Sequence, residues 1–297
     1  MAFTVAHMAA ALPLYRYRRW LNFEALLIGS IMPDLPYFLS QGNVVSQQAH
    51  QWSGIVSYGL PWGMLVFVLW HWWFKSAALA LIQPWCHSQH QQVKYYIAHD
   101  SSVDELFKNR ALPKLKYWLV FWVKVIVGLS IGAATHLIWD GTTHPSGFIA
   151  EQIDIFQQIV TLPLLGSMAV ARLLQYLSSI VGLLLLLYFA YSQCKLKQNN
   201  LSDLNPSSNS RHYLSLQPFT LRKRYSLIII GFISVTALIC SLQAARKWHT
   251  LLPTDYYLFL AKILVSSLQG SLVVFIGYAL LYQSFSLVRD ALLRPNS

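Results

Sequence analysis

The stretch YWLVFWVKVIVGLSIGAATHLIWDGTTH (residues 117–144) decides the fold. Residues 117–139 are apolar apart from Lys124 and a few small polar residues, and a helix of about 20 such residues crosses the hydrocarbon core of a bilayer. The end of the stretch differs in kind, because His136, Asp140 and His144 follow one another at four-residue intervals. On a helix they share one stripe, about 6 Å apart along the axis at a rise of about 1.5 Å per residue. A cation can bridge that gap between imidazole and carboxylate. Ionisable groups at the end of a membrane helix are costly and point to function.

The rest of the chain repeats the apolar theme. Of 297 residues, 55% are hydrophobic and 11% charged, where soluble domains carry about 25% charged residues. Further spans fall at 59–82, 173–193 and 225–245, with a fifth at 257–282 that tolerates Lys262 near its start. Residues 20–39 carry Glu24 and Asp34; they either span or form a short re-entrant hairpin with residues 4–14, which needs protein around it at membrane depth. Residues 155–172 are moderately apolar and read as an interfacial helix. The expected fold is all-α, a polytopic integral membrane helical bundle with five to seven helices in or on the bilayer. Three sections are expected: a membrane domain at 1–193 carrying the site, a polar basic cytoplasmic linker at 194–224, and C-terminal transmembrane helices at 225–297.

Composition narrows the function classes. The eleven tryptophans suit interfacial aromatic belts. Cys86, Cys194 and Cys240 are far apart and form neither a disulfide framework nor a thiolate zinc module. The net charge of +11 comes without an aromatic-interleaved basic module or a Gly-rich phosphate loop, so the expected partners are membrane lipids and not nucleic acid. At the N-terminus the charges of Arg16, Arg18 and Arg19 follow the apolar run instead of preceding it. That is the wrong order for a cleaved signal peptide and keeps His7 in the expected mature chain.

Loop charge gives orientation. Loop 83–116 holds five basic residues and loop 194–224 holds six, whereas loop 140–172 holds only Arg172 beside Asp140, Glu151 and Asp154. The positive-inside rule places the first two in the cytoplasm, so the His136–Asp140 end of its span faces outward.

Four places then bring candidate metal ligands to one side: His7, Asp34 between two prolines, His50 ahead of the span at 59, and the triplet His136, Asp140, His144. A chain that reverses between residues 14 and 20 returns Asp34 toward His7. Singly each has an ordinary reading, as an interfacial histidine, a turn residue or a hydrogen-bonded cap. Together, four histidines and two aspartates suit a divalent metal, zinc first with manganese or iron next, better than magnesium or calcium. The set exceeds the three protein ligands of a mononuclear catalytic zinc, so it suffices for two metals or includes residues that orient the ligands. His87, His90 and His99, with Cys86, Asp100 and Asp104, match no standard zinc spacing, and His71, His212 and His249 read as interfacial or loop residues.

The segments around these residues carry a family resemblance. FTVAHMAAALPL (3–14), GSIMPDLPYF (29–38), His50 followed by GLPWG (59–63), GAATHLIWDGTTHP (132–145) and LQYLSS (174–179) together resemble an uncharacterised bacterial membrane-protein family, domain of unknown function 4184. That family looks distantly similar to inner-membrane metal-dependent hydrolases. The likeness implies metal-ligand positions at His7, Asp34, His50, His136 and Asp140, with His144 matching the closer family only, and a bacterial inner-membrane location. The expected function is metal-dependent hydrolysis of a lipid-linked or membrane-proximal ester or phosphoester, with Asp34 or Asp140 as general base or metal bridge. A metal or ion transporter and a scaffold with a structural metal are the alternatives. The substrate is not legible.

Overall fold

The computed structural model describes residues 4–85, 114–162, 166–199, 221–252 and 255–293. Among the described residues helix dominates, and five helices are long and apolar enough to cross a membrane: Ile55–Trp85, Trp118–Thr143, Val170–Gln193, Lys223–Lys247 and Leu258–Arg289. Their outward residues are large and apolar, as at Leu184, Phe232, Val273 and Leu281. Backbone groups closed within helices and apolar side chains turned outward are what a lipid solvent demands. The protein is an integral membrane protein of the all-helical class. The chain divides into two compact units, Met1–Phe67 with Ser101–Tyr191, and Val68–Asp100 with Ser192–Ser297.

The first unit holds all six candidate residues. Its axis is α7 (Lys114–Thr143), against which the N-terminal segment folds as a hairpin. One arm contains the short helix α1 (Met8–Ala11) between 3-10 turns at Thr4–His7 and Leu12–Tyr17. The other arm is α2 (Phe23–Gly29), whose N-cap Asn22 accepts a hydrogen bond from the Ala25 amide at 2.9 Å. Prolines 13, 33 and 36 lie in the first turns of their elements, where a missing N–H costs nothing. The hairpin tip lies beside Lys124, whose ammonium donates to the Arg19 carbonyl at 2.6 Å, and its base lies beside His136. Those two residues of α7 are twelve apart, about 18 Å along the axis. This is short of the ~30 Å core, so residues 4–38 re-enter and do not span.

Glycines let the hairpin approach. A Cβ on Gly132 would strike the Leu26 carbonyl oxygen and come within 2.7 Å of the Ser30 nitrogen; one on Gly128 would come within 2.8 Å of the Asn22 oxygen. This small-x-x-x-small groove replaces side-chain interdigitation with backbone contact. After the hairpin come α3 (Leu35–Phe38) and α4 (Asn43–Ala49), then a π-helical turn at Ile55–Gly59 that leads into α5 (Leu60–Leu69).

Beyond α7 the chain does not form the interfacial helix expected over 155–172. A single turn, α8 (Asp154–Gln157), is followed by an antiparallel hairpin of β1 (Ile159–Leu162) and β2 (Gly166–Ala169), with Ile159 opposite Ala169 and Leu162 opposite Gly166. The β-branched run Ile159-Val160-Thr161 favours extended backbone, and Gly166 takes a φ of 73° that a side chain resists. Helix α9 (Val170–Asn199) follows, so helical structure continues through 194–199 where the basic linker was expected to begin. The remainder of that linker up to residue 220 lies outside the described residues.

The second unit is built from α6 (Lys75–Ile82), α10 (Lys223–Lys247) and α11 (Tyr256–Leu293). Ala77, Ala80, Ala279 and Tyr282 form its buried cluster. The Tyr278 hydroxyl donates to the Ala77 carbonyl at 3.1 Å, and Ser226 donates to the Leu81 carbonyl at 2.7 Å.

Candidate metal centre

Each candidate side chain arrives from a different turn of the first unit. The 3-10 turn at Thr4–His7 supplies His7, and the turn at Met32–Asp34 supplies Asp34. His50 caps the C-terminal end of α4, and α7 supplies His136 and Asp140. They converge on one another. His7 Nε2 lies 2.9 Å from Asp140 Oδ1, His136 Nε2 3.3 Å from Asp140 Oδ2, and His50 Nε2 3.3 Å from Asp34 Oδ1. His50 Nε2 is also 3.7 Å from Asp140 Oδ2, and His136 Nε2 3.8 Å from Asp34 Oδ1. Among the described residues, two triads form, His7–His136–Asp140 and Asp34–His50–His136, each with its donor atoms within 4.8 Å of one another.

These separations have a chemical meaning. With metal–ligand bonds of about 2.1 Å, neighbouring donor atoms lie about 3.0 Å apart around an octahedral ion and about 3.4 Å apart around a tetrahedral one. The shorter cross-distances fall in that range. They are also too close for uncompensated lone pairs, so the cluster calls for protons or a cation.

One nitrogen of each ring is tied to the backbone. His136 Nδ1 donates to the Ser30 carbonyl at 2.8 Å, His50 Nδ1 to the Ser46 carbonyl at 2.8 Å, and His7 Nδ1 approaches the Thr4 carbonyl at 3.3 Å. With Nδ1 so engaged, all three Nε2 atoms face the carboxylates, as N–H donors in a protonated ring and as lone pairs once a cation displaces those protons. A backbone carbonyl that orients a ligating imidazole is a recurrent feature of metal sites. His136 Nε2 is fully buried with no hydrogen-bond partner; the other such side-chain atom among the described residues is Trp139 Nε1. Buried polar nitrogens are rarely left so. The His7 and His136 rings stack at 4.0 Å.

The two carboxylates differ. Thr4 donates to Asp34 Oδ2 at 2.6 Å, and the Asp34 side chain is 3% exposed against 16% for Asp140 and 22% for His50. The cluster is therefore closed on the His7–His136 side and opens where His50 and Asp140 meet. Burial pushes Asp34 upward, but His136, the His50 hydrogen bond and His7 outweigh it and hold the carboxyl at about 2. Burial raises the Tyr37 phenol, with Asp34 and Asp140 adding to it; the Tyr37 ring sits 5.7 Å from that of His50.

His144 is placed apart from the other three histidines. Helix α7 ends at Thr143. Beyond it, His144 Nδ1 lies 3.2 Å from the Asp140 carbonyl oxygen and 3.4 Å from Asp140 Oδ1, while its Nε2 meets the Gln175 amide nitrogen at 2.9 Å. It belongs to neither triad. Burial holds it below its usual range, against the pull of Asp140. The supporting residues Thr4, Ser30, Ser46 and Gln175 were not legible as such. Gln175 alone left a trace, as a polar residue in an apolar span. The second grouping considered, Cys86, His87, His90, His99, Asp100 and Asp104, lies outside the described residues, as does His212. His249 Nδ1 donates to the Arg246 carbonyl at 2.8 Å.

A polytopic helical membrane protein with a buried His/Asp cluster at one end of its re-entrant hairpin is the class these features define. The chain belongs to the family described as Domain of unknown function (DUF4184), which matches residues 1–282. No curated protein and no solved structure matches it.

Proposed function

We propose that the cluster binds a divalent cation, zinc before manganese or iron, and that the protein is a membrane-bound hydrolase of a lipid-linked or membrane-proximal ester or phosphoester. The observation that carries this reading is the convergence of the His7, His50 and His136 Nε2 atoms on two carboxylates, within 2.9–3.8 Å, while each Nδ1 is turned to a backbone carbonyl. His7, Asp34, His50, His136 and Asp140 would hold the cation, which would supply Lewis-acid activation of water and of a substrate oxygen. Asp34, closed in by Thr4 and two imidazoles, serves as a ligand. Asp140, on the open side, serves as the general base or as a bridge. An opening beside the ligands favours catalysis over a structural staple. The basic loops 83–116 and 194–224 support an orientation with the site on the outer face, and the location proposed is the bacterial inner membrane.

The test is elemental analysis of the purified chain beside His136→Ala and Asp34→Ala. Metal in the parent and its loss from both variants supports the site, and equal metal in all three defeats it. Turnover of a lipid extract that chelator abolishes and zinc restores then supports hydrolysis.

A further inference from the structure

The geometry points to Arg172, Gln175 and His144 as a positioning relay that fixes the orientation of Asp140; the inference rests on Asp140 belonging to the proposed metal centre. Arg172 and Gln175 stand one turn apart at the start of α9, and Gln175 is fully buried. A guanidinium carries donors only. Arg172 Nη1 lies 3.1 Å from Gln175 Oε1, so the oxygen of the amide faces Arg172 and its NH2 faces the other way. There it meets His144 Nε2 at 2.9 Å. An amide nitrogen also only donates, so His144 Nε2 is the acceptor and the ring proton sits on Nδ1. That N–H points at Asp140, with the backbone oxygen at 3.2 Å and Oδ1 at 3.4 Å.

The opposite arrangement fails at both ends. A flipped amide would set donor against donor at Arg172. It would also force the proton onto His144 Nε2 and leave a bare Nδ1 lone pair facing the carboxylate. One permanently charged side chain thus sets the tautomer of an imidazole two hydrogen bonds away. The N–H is shared between the Asp140 carbonyl and, at 3.4 Å, Oδ1, the oxygen that also meets His7, and Oδ2 lies toward His136 and His50. His144 differs from the other three histidines in that its Nε2 meets an amide nitrogen and not a carboxylate. It acts on the site through Asp140.

The experiment uses the full chain in detergent micelles with ¹⁵N-labelled histidine, prepared without metal, together with zinc titration against a competing chelator. The expected result in the parent protein is a neutral His144 protonated on Nδ1. In Gln175→Glu a carboxylate replaces the amide donor and draws a proton to Nε2, and zinc affinity falls about 10–100-fold, as for loss of a ligand-orienting partner. His144→Asn retains a donor near the Nδ1 position and keeps most of the affinity, whereas His144→Gln does not. A purely structural role for His144 would penalise both alike. The relay is overturned if the parent His144 carries its proton on Nε2, or if Gln175→Glu binds zinc as the parent does. A parent that binds no zinc yet shows Nδ1–H at His144 would sink the metal centre while supporting the relay's tautomer.

Discussion

Gly132→Ala touches none of the proposed ligands, yet it tests how they are held. The added Cβ would strike the Leu26 carbonyl oxygen and lie 2.7 Å from the Ser30 nitrogen, where 3.4 Å is the near edge of ordinary contact, so α2 must withdraw by at least 0.7 Å. The obstacles are backbone atoms and cannot rotate away. Such overpacking costs about 1–3 kcal/mol. Ser30 moves with α2, and its carbonyl is the acceptor for His136 Nδ1 at 2.8 Å; withdrawal by the same amount takes that bond to the limit of hydrogen bonding. Asp34 follows four residues later on the same hairpin, and its approach to His136, already 3.8 Å, widens too. Loss of an orienting bond of this kind lowers metal affinity about 10–100-fold. The assay is zinc competition with a chromophoric chelator on purified protein, with Gly231→Ala as control, because a Cβ there meets nothing within 4 Å. Unchanged zinc affinity in Gly132→Ala would refute the claim that the glycine groove sets the site's geometry.

Other expectations follow from the same geometry. His136 has one Nε2 lone pair and belongs to both triads, so zinc should saturate at one ion per chain; two ions per chain by elemental analysis would require a bridging Asp140. Thr4→Val removes the donor to Asp34 Oδ2 and should weaken zinc binding by about tenfold without abolishing it, as measured by the same competition. In the metal-free protein Asp34 titrates at about 2. Its stabilising contribution should be complete above the ordinary carboxylate value of about 4 and fade as pH falls toward 2, and Asp34→Asn should lack this acid limb in thermal unfolding. Because residues 4–38 re-enter, single cysteines at Ser40 and Ser167 in a cysteine-free background should react with an impermeant maleimide from the same side; labelling from opposite sides would rule out the hairpin.

Much of the helical frame is legible in the chain, because long apolar runs leave a bilayer-spanning helix few alternatives. The expected span 225–245 lies within Lys223–Lys247, and 117–139 lies within Trp118–Thr143 in all but its first residue. Where the periodicity is short, reading fails: Ile159–Ala169 is apolar enough for an interfacial helix, but β-branched residues and a left-handed Gly166 turn it into a hairpin. The candidate histidines and aspartates and their shared side were readable from their spacing and from the scarcity of acids in apolar segments. Which histidine nitrogen faces which oxygen was not, because that depends on the carbonyls of Thr4, Ser30 and Ser46, and every residue has a carbonyl. His144 shows the limit. Its four-residue offset from Asp140 suggested a third ligand on one stripe, but α7 stops at Thr143, and a glutamine 31 residues on takes the nitrogen that would have served.

The re-entrant hairpin also sets an order of assembly. His7 and Asp140 are 133 residues apart, and ribosomes add about 5–20 residues per second. The earliest-made arm therefore waits on the order of ten seconds for the helix that shelters its polar groups. Asn22, Ser30 and Asp34 cannot settle into lipid alone, so during synthesis the segment must stay near the water boundary until α7 emerges. Closure of the His/Asp cluster is then a late event in biogenesis, and a chain truncated before α7 would leave its first forty residues without a place to dock.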